Sequence, residues 1–258
     1  MWLRAAVACI VLALIAPILV IIPLSFTSVS YFQFPPPGFS FKWYQSIMEN
    51  PSWVDGMVNS LTIGALTAIL STLLGTMAAI AVSRLQFPGK KLFMSVILAP
   101  MVVPVIIVAI SLYQFLAPLH WTNSISGVVL SHAILAIPIV FVTVSASLKG
   151  VDRNLELAAS GLGSTPVGVF FRITMPLIRP GILSGALFAF ITSFDEVVVT
   201  IFISGASSKT LPVVMWENLR TQVDPSLAAI STILIFGTVI LFVFQEWVGS
   251  RAKQSKAT

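Results

Sequence analysis

Long apolar runs separated by short polar gaps dominate the chain. A helix needs about 20 consecutive apolar residues to cross a hydrocarbon core of about 30 Å. Six runs reach that length: Ala5–Ser25, Met57–Ser83, Leu92–Ala117, Ile125–Ser147, Gly181–Ser204 and Ser226–Val248. The pattern therefore predicts an all-α membrane protein with six transmembrane helices, which form a single domain over residues 1–258.

Composition agrees with this prediction, since 57% of the 258 residues are hydrophobic and only 9% are charged. Soluble domains carry roughly 25% charged residues, so a water-soluble fold is excluded and the lipid bilayer must be the main solvent. The net charge of +5 arises from Lys and Arg in the gaps between apolar runs. Such residues set membrane orientation, and we expect no binding to nucleic acid.

The distribution of Lys and Arg predicts the orientation. Eleven of the 14 lie on the side that holds both termini, and the positive-inside rule places that side in the cytoplasm. The apolar core after Arg4 continues to about Ile22, beyond the ~7–15 residues of a signal peptide, and no A-x-A-like site follows. We therefore expect the first run to be a retained anchor.

One predicted cytoplasmic loop, residues 148–180, is much longer than the others at 33 residues. Asp152 is a good N-cap, and Gly163 stands where a helix would end on a left-handed residue. Thr165 followed by Pro166 is a second helix start, an N-cap and then proline at the first helical position. The loop is predicted to hold two short helices joined by a tight glycine turn.

Small residues mark the first of these short helices, where Ala158 and Ala159 lie near Gly161 and Gly163. Small side chains allow another backbone to approach closely, which suits a helix that docks into a groove of a partner. A compact loop that packs under its own bundle is the alternative. The residues alone leave both interpretations open.

The same loop resembles the EAA loop of ABC-importer permeases, whose pattern is Glu-Ala-Ala, three residues, Gly, a spacer of about nine residues, and I-x-L-P. The matching residues are Ala158, Ala159, Gly163, Ile173 and Pro176. Leu157 occupies the glutamate position, with Glu156 one residue earlier, and Met175 replaces the usual leucine. The resemblance extends over the six-span layout and covers nearly the whole chain.

This resemblance implies a type I ABC-importer permease in the bacterial inner membrane, not an enzyme. It implies a coupling helix seated in a cytoplasmic ATPase, with the contact made by Glu156, Leu157, Ala158, Ala159, Gly161, Gly163, Ser164 and Thr165. The chain lacks a G-x-x-x-x-G-K-[ST] loop, so ATP and Mg are expected on the partner ATPase and no cofactor on this chain. The implied partners are a second homologous permease, two ATPases, an extracytoplasmic solute-binding protein and membrane lipid.

Two adjacent acids, Asp195 and Glu196, lie inside the fifth apolar run. An ionised group there costs at least ~2.5 kcal/mol if it faces lipid, so it should face a pathway or an internal polar network. The run Ser193-Phe194-Asp195-Glu196 resembles the same span of spermidine/putrescine-type permeases. That resemblance implies that Phe194, Asp195 and Glu196 line a pathway for a polyamine or another small cationic amine.

Other candidate residues suggest structural roles. His132 is isolated within a span and is expected to be a satisfied hydrogen-bonding residue, and Cys9 a small apolar residue that faces lipid or protein, so no metal site is predicted. Pro100, Pro104 and Pro138 should kink or break their helices, because proline lacks an N–H donor and clashes with the preceding turn.

Two other functions are less well supported by the sequence. A gradient-driven secondary transporter would usually show two related halves, and no internal repeat is evident. An intramembrane enzyme would need a catalytic constellation. Asp195, Glu196 and His132 are the only candidates, and no nucleophile–base spacing links them.

Overall fold

The computed structural model describes residues 2–254 and shows an all-helical chain. The helices are α1 Trp2–Leu24, α2 Lys42–Glu49, α3 Pro51–Arg84, α4 Lys90–Val102, α5 Val105–Leu116, α6 Ile125–Lys149, α7 Arg153–Gly161, α8 Pro166–Val169, a π-helical turn Phe170–Thr174, α9 Met175–Asp195, α10 Val198–Ile203, α11 Leu211–Thr221 and α12 Ser226–Gln254. The only β pairing among the described residues is an isolated bridge between Thr27 and Phe39.

Among the described residues, four helical segments are long and apolar enough to cross a membrane, namely α1, α3, α6 and the continuous stretch Pro166–Asp195. Helices α4 and α5 meet at a bend of 110°. They add a fifth span if the two helices together form one crossing. The described apolar part of α12, Ser226–Ile240, is shorter. All six predicted runs lie on helices, while the count of six spans stays a prediction.

Proline breaks one helix where the sequence predicted three kinks or breaks. Val103 has an extended backbone with ψ 133°, and Pro104 is the N-cap of α5. A residue before proline is pushed out of the α region, which explains why α4 ends there. Helices α4 and α6 continue through Pro100 and Pro138, so the expected break is confirmed at Pro104 only.

The chain divides into two compact units, residues up to 54 with those from 214 onward, and residues 55–213. In the first unit, the segment after α1 is fixed by three polar contacts. The Trp43 indole donates to the Thr27 carbonyl at 2.9 Å, Lys42 Nζ donates to the Ser28 carbonyl at 2.6 Å, and the Tyr44 and Ser25 hydroxyls lie 2.7 Å apart. This segment is therefore ordered by side chains of α2.

In the second unit, α6 packs closely between α3 and α9. Val140 of α6 is fully buried, and a Cβ added at Gly75 of α3 would lie 2.8 Å from its Cγ1. A Cβ added at Gly185 of α9 would lie 3.3 Å from the same atom. Small residues allow such close helix approach in a membrane, where packing rather than the hydrophobic effect drives association. This core places α6 beside α9, which ends at the two candidate acids, and the candidate loop follows α6 directly in the chain.

Candidate functional site: a braced loop and a broken helix

The loop after α6 folds as its local sequence predicts at both helix starts. The Asp152 carboxylate accepts a hydrogen bond from the Asn154 backbone N–H at 2.9 Å, which caps α7. The Thr165 hydroxyl accepts from the Gly168 N–H at 3.2 Å, and Pro166 follows as the first residue of α8. Each cap satisfies an N–H that has no partner inside its own helix.

The second short helix of the prediction is not separate. Helix α8 runs on through the π-helical turn into α9, so one helical stretch extends from Pro166 to Asp195. Pro176 lacks a backbone N–H donor, and the π-helical turn, where the regular α pattern is interrupted, lies directly before it. The 33-residue loop is therefore one short helix followed by the start of a long one.

A glycine turn ends α7 as predicted. Gly163 has φ +86°, its N–H donates to the Ser160 carbonyl at 3.0 Å, and the Ser164 N–H donates to the Ala159 carbonyl at 3.1 Å. This pair of bonds is the Schellman arrangement, in which a left-handed residue closes the helix. A side chain at that φ is strained, so the turn depends on glycine.

The Glu156 side chain joins the loop to the helices beside it. Arg84 Nη2 at the end of α3 donates to Oε1 at 3.0 Å, while Arg84 Nε lies 2.8 Å from Oε2. The Thr174 hydroxyl in the π-helical turn also donates to Oε1, at 2.8 Å. Because the Glu156 side chain is only 13% exposed, water screens these contacts weakly. We call this three-residue cluster the brace.

The opposite side of α7 is open. Residues 157, 158, 161 and 162 lie within about 140° around a helix, away from Glu156 and Ala159. We call Leu157, Ala158, Gly161 and Leu162 the outer face; Leu157 is 58% exposed and Leu162 is 88% exposed. Among the other predicted contact residues, Gly163 and Thr165 are exposed, and Ala159 and Ser164 are half-buried. The outer face is therefore an apolar surface with small residues at its centre.

The fifth apolar run is two helices with a break between them, so the prediction of one continuous helix is wrong, while a position of the acids inside a span stays a prediction. Helix α9 ends at Asp195, Glu196 has an extended backbone with ψ 113°, and α10 begins at Val198. Glu196 Oε1 accepts a hydrogen bond from the Val199 N–H at 2.9 Å. The Glu196 carboxylate thus accepts from one of the N–H groups that have no partner inside the first turn of α10.

The two acids therefore differ in role. Asp195 is exposed, and the described side chains provide it with no hydrogen-bond or ion-pair partner, whereas Glu196 is half-buried and bonded to α10. Phe194 is half-buried, with its ring 5.7 Å from that of Phe190. Of the two acids, Asp195 is the exposed one and has no described side-chain partner.

His132 is a fully buried, hydrogen-bonded residue, as the sequence predicted. Its Nδ1 lies 2.8 Å from the Ser193 hydroxyl, and its Nε2 lies 2.8 Å from the Thr200 hydroxyl. The sequence did not indicate these partners, which are 61 and 68 residues away. Among residues 2–254 no group of three His, Cys, Asp or Glu side chains could hold a metal ion.

A profile of the family described as "Binding-protein-dependent transport system inner membrane component" matches residues 71–254. The chain therefore belongs to this family, which includes the permease subunits of ABC importers. The match includes the loop, the brace and the helix break.

Individual relatives agree with this assignment. The chain is 36% identical to the putrescine transport system permease protein PotI of Escherichia coli (strain K12), with 91% of this chain and 85% of that protein covered. It is 32% identical to the spermidine/putrescine transport system permease protein PotC of Haemophilus influenzae (strain ATCC 51907 / DSM 11121 / KW20 / Rd), with 90% of each covered.

A solved structure has the same fold. The crystal structure of a bacterial ABC transporter involved in import of the acidic polysaccharide alginate matches with a TM-score of 0.76 at 15% identity, over 95% of this chain and 94% of that one. The chain is thus a multi-pass permease subunit of the bacterial inner membrane with the type I ABC-importer fold. It is a transport component, and the secondary-transporter and enzyme alternatives are set aside.

Proposed function

We propose that this chain forms half of the translocation pathway of an ATP-driven polyamine importer and couples to its ATPase through the outer face of α7. The observation that carries the proposal is an exposed apolar helix face on a segment fixed from behind by the brace. A helix that transmits force needs a free surface for its partner and a stiff connection to its own bundle. Helix α7 has both.

The brace gives the proposed route of force. The outer face would seat in a cleft of a cytoplasmic ATPase, with Leu157 and Leu162 as its apolar contacts and the small residues between them allowing close approach. Movement of α7 would then pass through Glu156 to Arg84 on α3 and to Thr174 at the start of α9. In this proposal Glu156 acts inside the chain, while the outer face, Gly163 and Thr165 face the ATPase.

The proposed assembly contains two permeases, two ATPases that bind ATP and Mg, and an extracytoplasmic solute-binding protein. The family is described as dependent on a binding protein, which supports the last of these. The positive-inside rule supports a cytoplasmic position for α7, because the loop and both termini hold most of the Lys and Arg residues.

The proposed solute is putrescine or a related cationic amine, as the names of the two relatives suggest. Asp195 would accept hydrogen bonds from an alkylammonium group, because its carboxylate is exposed and no described side chain satisfies it. The neighbouring Phe194 ring could add a cation–π contact. Glu196 would instead maintain the start of α10.

Asp195→Asn tests this assignment of roles. A hydrogen bond to a charged group contributes about 1.5–3 kcal/mol, so we expect the KM for putrescine uptake to rise by about tenfold or more. Uptake of labelled putrescine should be measured in cells that express the complete transporter and lack other polyamine importers.

Glu196→Gln is the matched control, since the Gln side-chain oxygen can still accept from Val199 N–H. We expect the KM of this variant to stay within about twofold of the parent value. A neutral hydrogen bond, which contributes about 1 kcal/mol, still satisfies the Val199 N–H. An unchanged KM for Asp195→Asn, at equal membrane level, would remove Asp195 from the pathway.

A further inference from the structure

We propose that His132 is a positioning residue that holds the break between α9 and α10 and thereby sets the place of the Asp195 carboxylate. The inference rests on the proposed pathway role of Asp195 for its functional meaning. The positional part can be measured without any transport.

His132 reaches both sides of the break from the middle of α6. Ser193 lies two residues before Asp195 at the end of α9, and Thr200 lies in α10. Each hydroxyl is 2.8 Å from one nitrogen of the same imidazole ring. His132, Ser193 and Thr200 are all almost fully buried, so no water competes for these hydrogen bonds.

The proton positions in this cluster follow from the acceptors. The Thr200 hydroxyl donates its single proton to the Glu196 carbonyl at 2.9 Å. The same hydroxyl oxygen can then only accept from His132, so Nε2 carries the ring proton and Nδ1 accepts from the Ser193 hydroxyl. A neutral imidazole therefore satisfies both hydroxyls and, through Thr200, holds the carbonyl of the extended residue Glu196.

Distance explains why these bonds favour a broken helix. In an unbroken helix, residues seven apart lie on one face and are separated by about 10.5 Å along the axis. Two hydrogen bonds across one imidazole hold their partner oxygens within roughly 8 Å of each other. A straight helix does not bring the two hydroxyls that close, so one ring can bond both because the chain leaves the helical path at residues 196–197.

Loss of either bond should therefore let the segment around Asp195 shift. His132→Leu removes both bonds and keeps an apolar side chain. Thr200→Val removes the bond to His132 and the bond to the Glu196 carbonyl with almost no change of shape, so it remains informative if His132→Leu folds poorly. Ser131→Ala is the matched control, because the neighbouring Ser131 hydroxyl is equally buried but donates only to the Gly127 carbonyl of its own helix, at 2.8 Å.

Thiol labelling at position 195 measures the shift directly. Cys9 is the only cysteine of this chain, so Cys9→Ala with Asp195→Cys leaves the chain one thiol, whose labelling is followed in the assembled transporter. We expect His132→Leu and Thr200→Val to change its rate of labelling by a charged methanethiosulfonate by about threefold or more, as one lost hydrogen bond of roughly 1 kcal/mol implies. Ser131→Ala should leave the rate unchanged.

Equal labelling rates in Thr200→Val, His132→Leu and the control would overturn the inference, whatever their uptake. With Asp195 intact, the same two variants should raise the KM for putrescine while the maximal rate is retained. A changed labelling rate with an unchanged KM would support the positioning by His132 and reject the pathway role of Asp195. The two proposals can therefore fail separately.

Discussion

Glu156→Ala should reduce uptake by at least about tenfold while the chain still reaches the membrane, because each lost hydrogen bond between charged groups contributes about 1.5–3 kcal/mol. The substitution removes the contacts of α7 with Arg84 and Thr174. It also leaves the half-buried Arg84 guanidinium without its carboxylate partner. Helix α7 would keep its outer face but lose its connection to α3 and α9. ATP hydrolysis by the assembled transporter should then continue with less uptake per ATP.

Two further variants separate loss of the brace from general unfolding. Glu156→Gln keeps an acceptor for the Thr174 hydroxyl, so its uptake should lie between those of the parent and Glu156→Ala. The apolar pair Arg84→Met with Glu156→Leu removes both charges, and such replacement of a buried ion pair is often neutral for stability. We expect this double variant to reach the membrane at the parent level and still to show reduced uptake. Normal uptake in Glu156→Ala, measured as solute imported per ATP hydrolysed, would show that the brace transmits nothing.

Gly163→Val should also reduce uptake strongly, because a β-branched residue at φ +86° is strained by about 1–3 kcal/mol. The space around a Cβ at this position is empty, so the effect comes from the backbone and not from a clash. The strain would open the Schellman turn and change the direction in which α7 presents its outer face. The measurement is uptake together with the amount of ATPase that co-purifies with the permease.

Gly89→Val is the matched control for this experiment. Gly89 has φ +80°, and a Cβ there also meets empty space, but the residue lies just before α4 and outside the loop. Both variants therefore carry a similar backbone strain at different places. We expect most of the ATPase to co-purify with the Gly89→Val permease. An equal loss of co-purified ATPase in the two variants would mean that the strain acts on folding alone.

Local sequence predicted the loop well because its determinants are local. Caps and the glycine turn depend on residues within about five positions of each other, and Asp152, Gly163, Thr165 and Pro166 occupy the predicted positions. The brace could not be found in this way. Arg84 is 72 residues from Glu156, and no periodicity in the chain connects them.

The acids show a different limit of sequence analysis. Hydropathy averages over a window and does not report whether a helix is continuous, so residues 181–204 were predicted as one span. The break depends on the Glu196 contact with Val199 and on His132, which lies on another helix. The first contact is local, but those of His132 join residues 61 and 68 positions apart, and hydropathy along the chain does not report them.

The functional assignment depends on the sequence pattern of the loop together with the family match. The physics of a small-residue helix left docking and internal packing equally open, and the EAA resemblance favoured docking. The family match over residues 71–254 then established the permease class. The exposed outer face is consistent with docking, while the brace shows that one side of α7 also packs internally.

Cross-linking tests the central claim that the outer face of α7 contacts an ATPase. In a Cys9→Ala background, Leu162→Cys places a single thiol on the outer face, and Leu85→Cys places one on an exposed leucine just after α3. With the co-expressed ATPase of the same transporter, we predict that a thiol cross-linker joins the Leu162→Cys chain to the ATPase and the Leu85→Cys chain far less. Free labelling of Leu162→Cys by a soluble reagent, with no adduct to the ATPase, would contradict the account.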